Sequence, residues 1–370
     1  MLHASDENAA SCFLLDVLDQ LDSCGGSKPW ASASISHLRA LAPIWRTSTP
    51  TSHANIHWAA FLMAEALRTT IHRKPFLFTL GDQLLLAGPE PPSADTLLAS
   101  LEVRSGKSAI AILSQSMYPY IFHITCLARR LWDTLTGDHA RLIPVTEVAV
   151  IQFLGSLTVM HAILSRLLEH VDAALSPPIT QLSSQLEDLD GPVRRGGWGI
   201  GVGFAVLVLR LHHELEYRAL STEGSAHTQE RFNLLRVQTR QMAATGAREF
   251  ARAIRYLPPI HYAEISWTIL RDYAQFELDE AESAPVVSRD RVRDLETIAA
   301  EMASVGFSVD LVSAPQDVAL LNRLDNYLWS AVQVPALLDP ILGNMFPALD
   351  QGWLDTASNG GLLRGGSLGF

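Results

Sequence analysis

Cysteine is nearly missing from this 370-residue chain: Cys12, Cys24 and Cys126 are the only three, and no two form a C-x-x-C pair. That spacing encodes neither a zinc cluster nor a disulfide framework, and it fits a reducing compartment. Catalytic signatures are missing too. The chain has no G-x-S-x-G nucleophile elbow and no glycine-rich phosphate loop followed by Lys-Ser or Lys-Thr. Charge is sparse, at 18% of residues against 48% apolar, with a mean hydropathy of +0.14. The apolar runs, such as Trp198 to Leu209, fall short of the roughly 20 residues that a membrane span requires, so no membrane association is expected. The N-terminus opens on acidic residues with no cationic start before its apolar stretch, so no secretory signal is expected either. The net charge of −11, from 39 acidic and 28 basic residues, repels phosphate backbones and argues against direct DNA binding by this chain.

What the sequence does contain is helical periodicity. Ile56, Ala60, Met63, Leu67 and Ile71 recur by threes and fours, as do Phe153, Leu157, Met160, Leu164 and Leu168 within a helix predicted to start near Pro144 and Thr146. A third stripe runs through Phe13, Leu14, Val17, Leu18 and Leu21. Further helices are predicted near 107–136, 198–220, 227–256, 261–281, 289–305 and 316–333, with Pro119 expected to kink or split the first of them. Turns are predicted at Gly25-Gly26-Ser27, Gly88 to Pro92, Ser176-Pro177-Pro178 and Gly191-Pro192. Alternating strand patterns do not persist. The expected fold is therefore all-α, with roughly ten or more packed helices. The expected organisation is an N-terminal helix and linker over 1–27, a helical domain over 28–335 with halves divided near 190, and a C-terminal segment over 336–370 whose glycine-rich tail is mobile.

Several clusters invite a chemical reading. Gly196, Gly197, Gly199, Gly201 and Gly203 precede an apolar helix beside Arg194 and Arg195, yet no strand leads into them, which favours close helix packing over a phosphate cradle. His212 and Glu216 share a helix face as metal ligands do, next to His213, with His261 and Glu264 as a conceivable second pair. The simpler reading is a polar helix face, with no metal and no other cofactor in this chain. Asp272, Glu277, Asp279, Glu280 and Glu282 do not form D-D-x-x-D and read as a solvated helix end. His123 and Cys126 lie three apart on one helix, a spacing more typical of core packing than of catalysis. Arg236, Arg240, Arg248, Arg252 and Arg255 are spread along one long helix, where a solvated face, or pairing with acidic neighbouring helices, is favoured over nucleic-acid contact.

Three patches carry a family resemblance. In the first, HWAAFLMAEALRTTIHRKPFLFTLGDQLLLAGPEPP (57–92), a long helix runs into a basic-Pro break and an apolar strip. The second joins SQSMYPYIFHITCLARRLWDTLTGD (114–138) to ARLIPVTEVAVIQFLGSL (140–157) by a short loop. The third is AREFARAIRYLPPIHYAEISWTILRDYAQFELDE (247–280), with Leu257-Pro258-Pro259 between its helices. In these the chain resembles the regulatory middle homology domain of fungal-specific zinc binuclear-cluster transcription factors, over most of residues 28–335. It departs from that pattern in having no six-cysteine cluster, so none of the DNA-reading residues carries over.

The resemblance implies a non-enzymatic transcription regulator in the nucleus, or alternatively the cytoplasm, acting through a protein partner or a small effector, with a homodimer allowed. Its effector or partner surface is expected to draw on Trp58, Trp132, His161, Trp198, Tyr262 and Trp267, aromatic or polar groups on otherwise apolar helices. Each of these also suits ordinary core packing. The alternative function is a helical enzyme of specialised metabolism with its metal or acid–base site near His212 and Glu216.

Overall fold

Helical periodicity carries through to the computed structural model, which describes residues 4–22, 29–48, 52–103, 107–176, 187–219, 226–257, 264–284, 287–309 and 315–345. These are 88% helical and contain no strand. In chain order the helices are α1 (Asp6–Asp22), α2 (Pro29–Ser48), α3 (Ser52–His72), α4 (Leu80–Ala87), α5 (Ala94–Glu102), α6 (Ala109–Leu131), α7 (Asp138–Arg141), α8 (Glu147–Leu175), α9 (Glu187–Ala219), α10 (Ala226–Ile254), α11 (Glu264–Ser283), α12 (Arg289–Val309) and α13 (Pro315–Met345). A π-helical turn, Trp132–Thr136, joins α6 to α7. The chain divides into two compact units at Ser313, and α13 is the described part of the second. The Gly25-Gly26-Ser27 turn, Tyr262, His261 and the glycine-rich tail lie outside the described residues.

Within the first unit, α9 is the spine. Every residue from Ile200 to Leu209 is buried, and a helix that is apolar around its whole circumference needs neighbours on all sides. Helices α3, α6, α8 and α10 provide them. The glycine run lies inside this helix, not in a loop before it, so Gly191 and Pro192 belong to the first turns of α9 and make no turn of their own. Pro192 is the sixth residue of the helix, so its missing N–H leaves the Asp188 carbonyl without a helical donor. The glycines let neighbours approach closely. A Cβ on Gly201 would stand 2.6 Å from the Cβ of Ala253 on α10, and one on Gly203 would stand 3.2 Å from Met63 and Ile124.

Other expectations meet their outcomes nearby. Thr146 caps α8 where the sequence placed its start. Pro119 sits within α6 without splitting it. Three helices escaped the sequence reading: α2, the four-residue α7, and α4, which forms from the apolar strip after Pro75 through a capping box between Thr79 and Asp82. Arg39 of α2 donates to both Asp82 carboxylate oxygens, at 2.7 and 2.8 Å, and holds that carboxyl down at about 2. The basic break itself is a left-handed helix end, with Arg73 at φ 53°. By composition alone α8 is long and apolar enough to cross a membrane, contrary to the sequence expectation. Its Phe153, Leu157, Met160, Leu164 and Leu168 stripe is buried, and α8 packs on α6 and α9.

Helix α10 closes the bundle with charge. Arg236 pairs with Glu216 of α9, Arg240 with Glu280 of α11 and Arg252 with Asp172 of α8. Arg248 and Arg255 act on Asp294 of α12. Of the two roles expected for these arginines, a solvated face or pairing with acidic neighbouring helices, the pairing is the one formed.

A second anchor sits at the end of α9. Arg218, buried, pairs with buried Glu214 at 2.8 Å and donates to the carbonyls of Leu135, Ala140, Arg141 and Ile143. Glu214 also binds Arg141, whose guanidinium lies 4.2 Å from the Tyr217 ring centroid. One guanidinium therefore satisfies carbonyls that the π turn and the short α7 leave without helical donors.

Two substitutions test this packing. Gly201→Ala should lose stability although alanine favours helix by about 1 kcal/mol, and Ala253→Gly should lose about 1 kcal/mol by propensity. Because Ala253→Gly removes the methyl that the new Cβ meets, the double variant should lose about 1 kcal/mol less than the sum of the two single losses in urea unfolding. Strict additivity would show that the two backbones do not limit each other. Arg218→Met should cost about 3–5 kcal/mol, the usual penalty for breaking a buried ion pair, and a loss below about 1 kcal/mol would contradict the anchoring role.

Candidate functional site

A groove and a smaller cavity lie where α5 crosses the seam between α6 and α8. The approach to α5 is set by the proline turn, in which Gly88 adopts φ 108°, a conformation that side chains rarely allow. Helix α6 then fastens the turn from below. Tyr118 donates to the Pro89 carbonyl at 2.6 Å, and His123 Nε2 donates to the Pro92 carbonyl at 2.8 Å. Ser93 caps α5, accepting from the Thr96 N–H. The short helix is therefore delivered across the seam with Leu97 buried.

A groove of about 750 Å³ lies along the C-terminal half of α5. Three helix faces converge on it: Thr96, Leu97, Ser100 and Leu101 from α5, Ile112, Gln115, Ser116 and Pro119 from α6, and Arg166, Glu169 and His170 from α8. Lys107, Glu102 and Val103 complete the rim. Volumes of this size suit small-molecule sites. Beside the start of α5 is a smaller cavity of about 260 Å³, lined by His123, Cys126, Arg130, Ser156 and Met160 among others. Burial pushes the Cys126 thiol pKa up, and its sulfur faces Gln83, so His123 and Cys126 are each engaged elsewhere and not with one another. A protonated thiol is a poor nucleophile.

Among the described residues, the expected site residues Trp58, Trp132, His161, Trp198 and Trp267 lie elsewhere and line neither cavity. Trp58 is half-buried on α3, edge-on to Phe61. Trp132 packs edge-on to Phe76 at the π turn. Trp198 leans on Phe250, which stacks on Tyr273, and Trp267 is buried in α11. His161 lies over Phe204 with Nε2 3.2 Å from Glu249 Oε1 and 3.5 Å from Ser165 Oγ. Both contacts use the same ring nitrogen, whereas a proton relay needs one on each. The groove's own residues carried no sequence signal beyond the Ile112, Gln115, Pro119 helical spacing.

The suspected metal face resolves into ion pairs. Arg236 binds Glu216 and holds its pKa down. His212 is buried edge-on to Phe276, with Nδ1 lacking a hydrogen-bond partner among the described residues. Among the described residues no group of three or more His, Cys, Asp or Glu side chains gathers as metal ligands would. The acidic run is solvated only in part: Asp279 and Glu282 are exposed, but the others turn inward. Glu277 is buried and pairs with Arg291 at 2.9 Å, and Asp272 pairs with Arg210 at 2.7 Å. Helices α9 and α12 cover these carboxylates, which the α11 sequence by itself could not show.

No family model, no curated protein and no solved structure matches the chain.

The buried polar seam has a pH signature. Burial pushes the Glu277 pKa up to about 7 from 4.5, against the opposing pull of Arg291. Folded chains thus hold a proton that unfolded chains release between pH 4.5 and about 7, so this group's contribution to stability falls as pH rises through that window. Burial and then Arg210 push the His213 pKa below its ordinary 6.5. Unfolded chains take up that proton first, so this contribution is lost as pH falls below 6.5. The two slopes oppose. Glu277→Gln removes the first, so in denaturant titrations from pH 8 to 4 the variant should lose stability on acidification more steeply than the native chain. Above pH 7 it should be the more stable of the two, by up to about 3 kcal/mol. Parallel pH curves for variant and native chain would refute the burial-driven shift.

Proposed function

We propose that this chain is a transcription-regulatory helical domain of the kind found in fungal zinc-cluster factors, controlled by a small effector or a protein partner. The observation that supports this reading is the placement of the three patches that carry the resemblance. The first becomes α3, its left-handed break and α4; the second becomes α6, the π turn and α8; the third becomes the end of α10 and α11. Helices α3, α6, α8 and α10 all pack on the single spine α9, so the resemblance follows the core of the first unit.

Two further features agree with a regulator that leaves DNA contact to another module. The surplus charge is negative, and the arginines of α10, the densest basic feature, are committed to acidic groups on neighbouring helices. The groove beneath α5 offers an effector a site without any catalytic group being required of the protein.

Tethered to a heterologous DNA-binding module in a fungal cell, the chain is expected to change reporter transcription severalfold over the module alone. Deletion of its gene should shift the transcripts of a target set. Unchanged transcripts in both settings, together with loss of one metabolite, would overturn the regulatory reading in favour of an enzyme.

A further inference from the structure

Large apolar side chains stand exposed at the end of the first unit where α8 and α10 begin and α9 finishes. Leu142 and Ile143 come from the link between α7 and α8, and Val148 and Ile151 from the first turns of α8. Tyr217 comes from the last turn of α9 and Leu234 from the early part of α10. Contacts tie these places together. Arg231 pairs with Glu147 at 2.7 Å, which sets the α10 turn before Leu234 beside the α8 turn that carries Val148. Arg218 donates to the Ile143 carbonyl at 3.0 Å, and the Arg141 guanidinium lies 4.2 Å from the Tyr217 ring centroid. Single exposed apolar residues need no explanation, but six gathered at one end mark an interaction surface.

The chemistry of this surface narrows its occupant. Each arginine around it is already paired within the chain: Arg141 and Arg218 with Glu214, Arg231 with Glu147, and Arg236 with Glu216. Asp138 and Glu230 nearby are exposed acids, and the chain carries a net charge of −11. An anionic membrane or a phosphate backbone is therefore repelled here. Recognition is left to apolar area, and interfaces between identical subunits are the more apolar class. Covering the six side chains removes about 600 Å² from each copy, or about 1,200 Å² from a pair, the size at which specific interfaces begin. A two-fold arrangement needs no second surface, because it matches this face with itself.

We propose that a second copy of the chain docks on this end of the bundle and forms a two-fold dimer. The dimer is independent of the regulatory reading, since it is measured on the purified chain without any transcriptional readout.

Sedimentation velocity of the full chain from about 1 to 100 µM is expected to show a reversible monomer–dimer equilibrium. Leu142 is 84% exposed and Leu234 61%, so either accepts a charge without disturbing the core. Leu142→Glu and, separately, Leu234→Glu bring two carboxylates into the paired face, and each should weaken the dimer about tenfold or more. Val103 is exposed too, but it lines the groove with Glu169 and His170 near the other end of α8. Val103→Glu should leave the equilibrium unchanged. Helical circular dichroism and melting temperature confirm that each variant is folded. A native chain that stays monomeric throughout overturns the proposal and leaves the face to a different protein. A dimer that survives both glutamate variants, or that Val103→Glu weakens equally, overturns the choice of this face. Species that keep growing beyond the dimer overturn the two-fold arrangement.

Discussion

Everything in the first unit depends on wrapping α9. Ten consecutive positions from Ile200 to Leu209 turn an apolar or glycine surface outward in every direction, and water contact on any side would forfeit roughly 25 cal/mol per Å² of exposed apolar area. Four helices must therefore meet around one axis. The glycines decide how near they come, because the approach of α10 at Gly201 leaves no room for a methyl group. A seam of this kind tolerates little change in volume.

Once the core is arranged that way, the polar groups have few choices. Each neighbour of α9 needs an orientation, and apolar contact supplies none. Arginine pairs provide it: Arg218 at the end of α9, the α10 arginines towards α8, α9, α11 and α12, and Arg39 between α2 and α4. Buried pairs add little net stability against a well-packed apolar alternative, but they are costly to break, which favours one register over its neighbours. The same logic accounts for the groove. Helix α5 is too short to cover the α6–α8 seam, so space remains beside it where polar and apolar walls meet.

Much of the fold was legible in the residues. Stripes at 3.6 spacing located α3 and α8, Thr146 marked the start of α8, and the small residues of the glycine run pointed to close packing. Legibility ended where periodicity did. Helix α4 hides in a continuous apolar strip containing Gly81, and only its Thr79–Asp82 capping box distinguishes it. Pro192 read as a break because a proline near a helix start and a proline in a turn look alike in sequence. Candidate site residues chosen as aromatics on apolar helices proved to be spread through separate packing contacts, since residue type alone does not say which side chains meet.

The sequence by itself determined the helical class, the approximate span of α6, α10, α11 and α12, the negative surplus charge and the absence of a cysteine cluster, because local periodicity and composition carry these directly. Tertiary structure alone decided that Glu216 faces Arg236, that Glu277 is buried, and that α5, α6 and α8 enclose a groove. Those outcomes depend on which faces meet across long stretches of chain. Helical spacing specifies a face but not its partner.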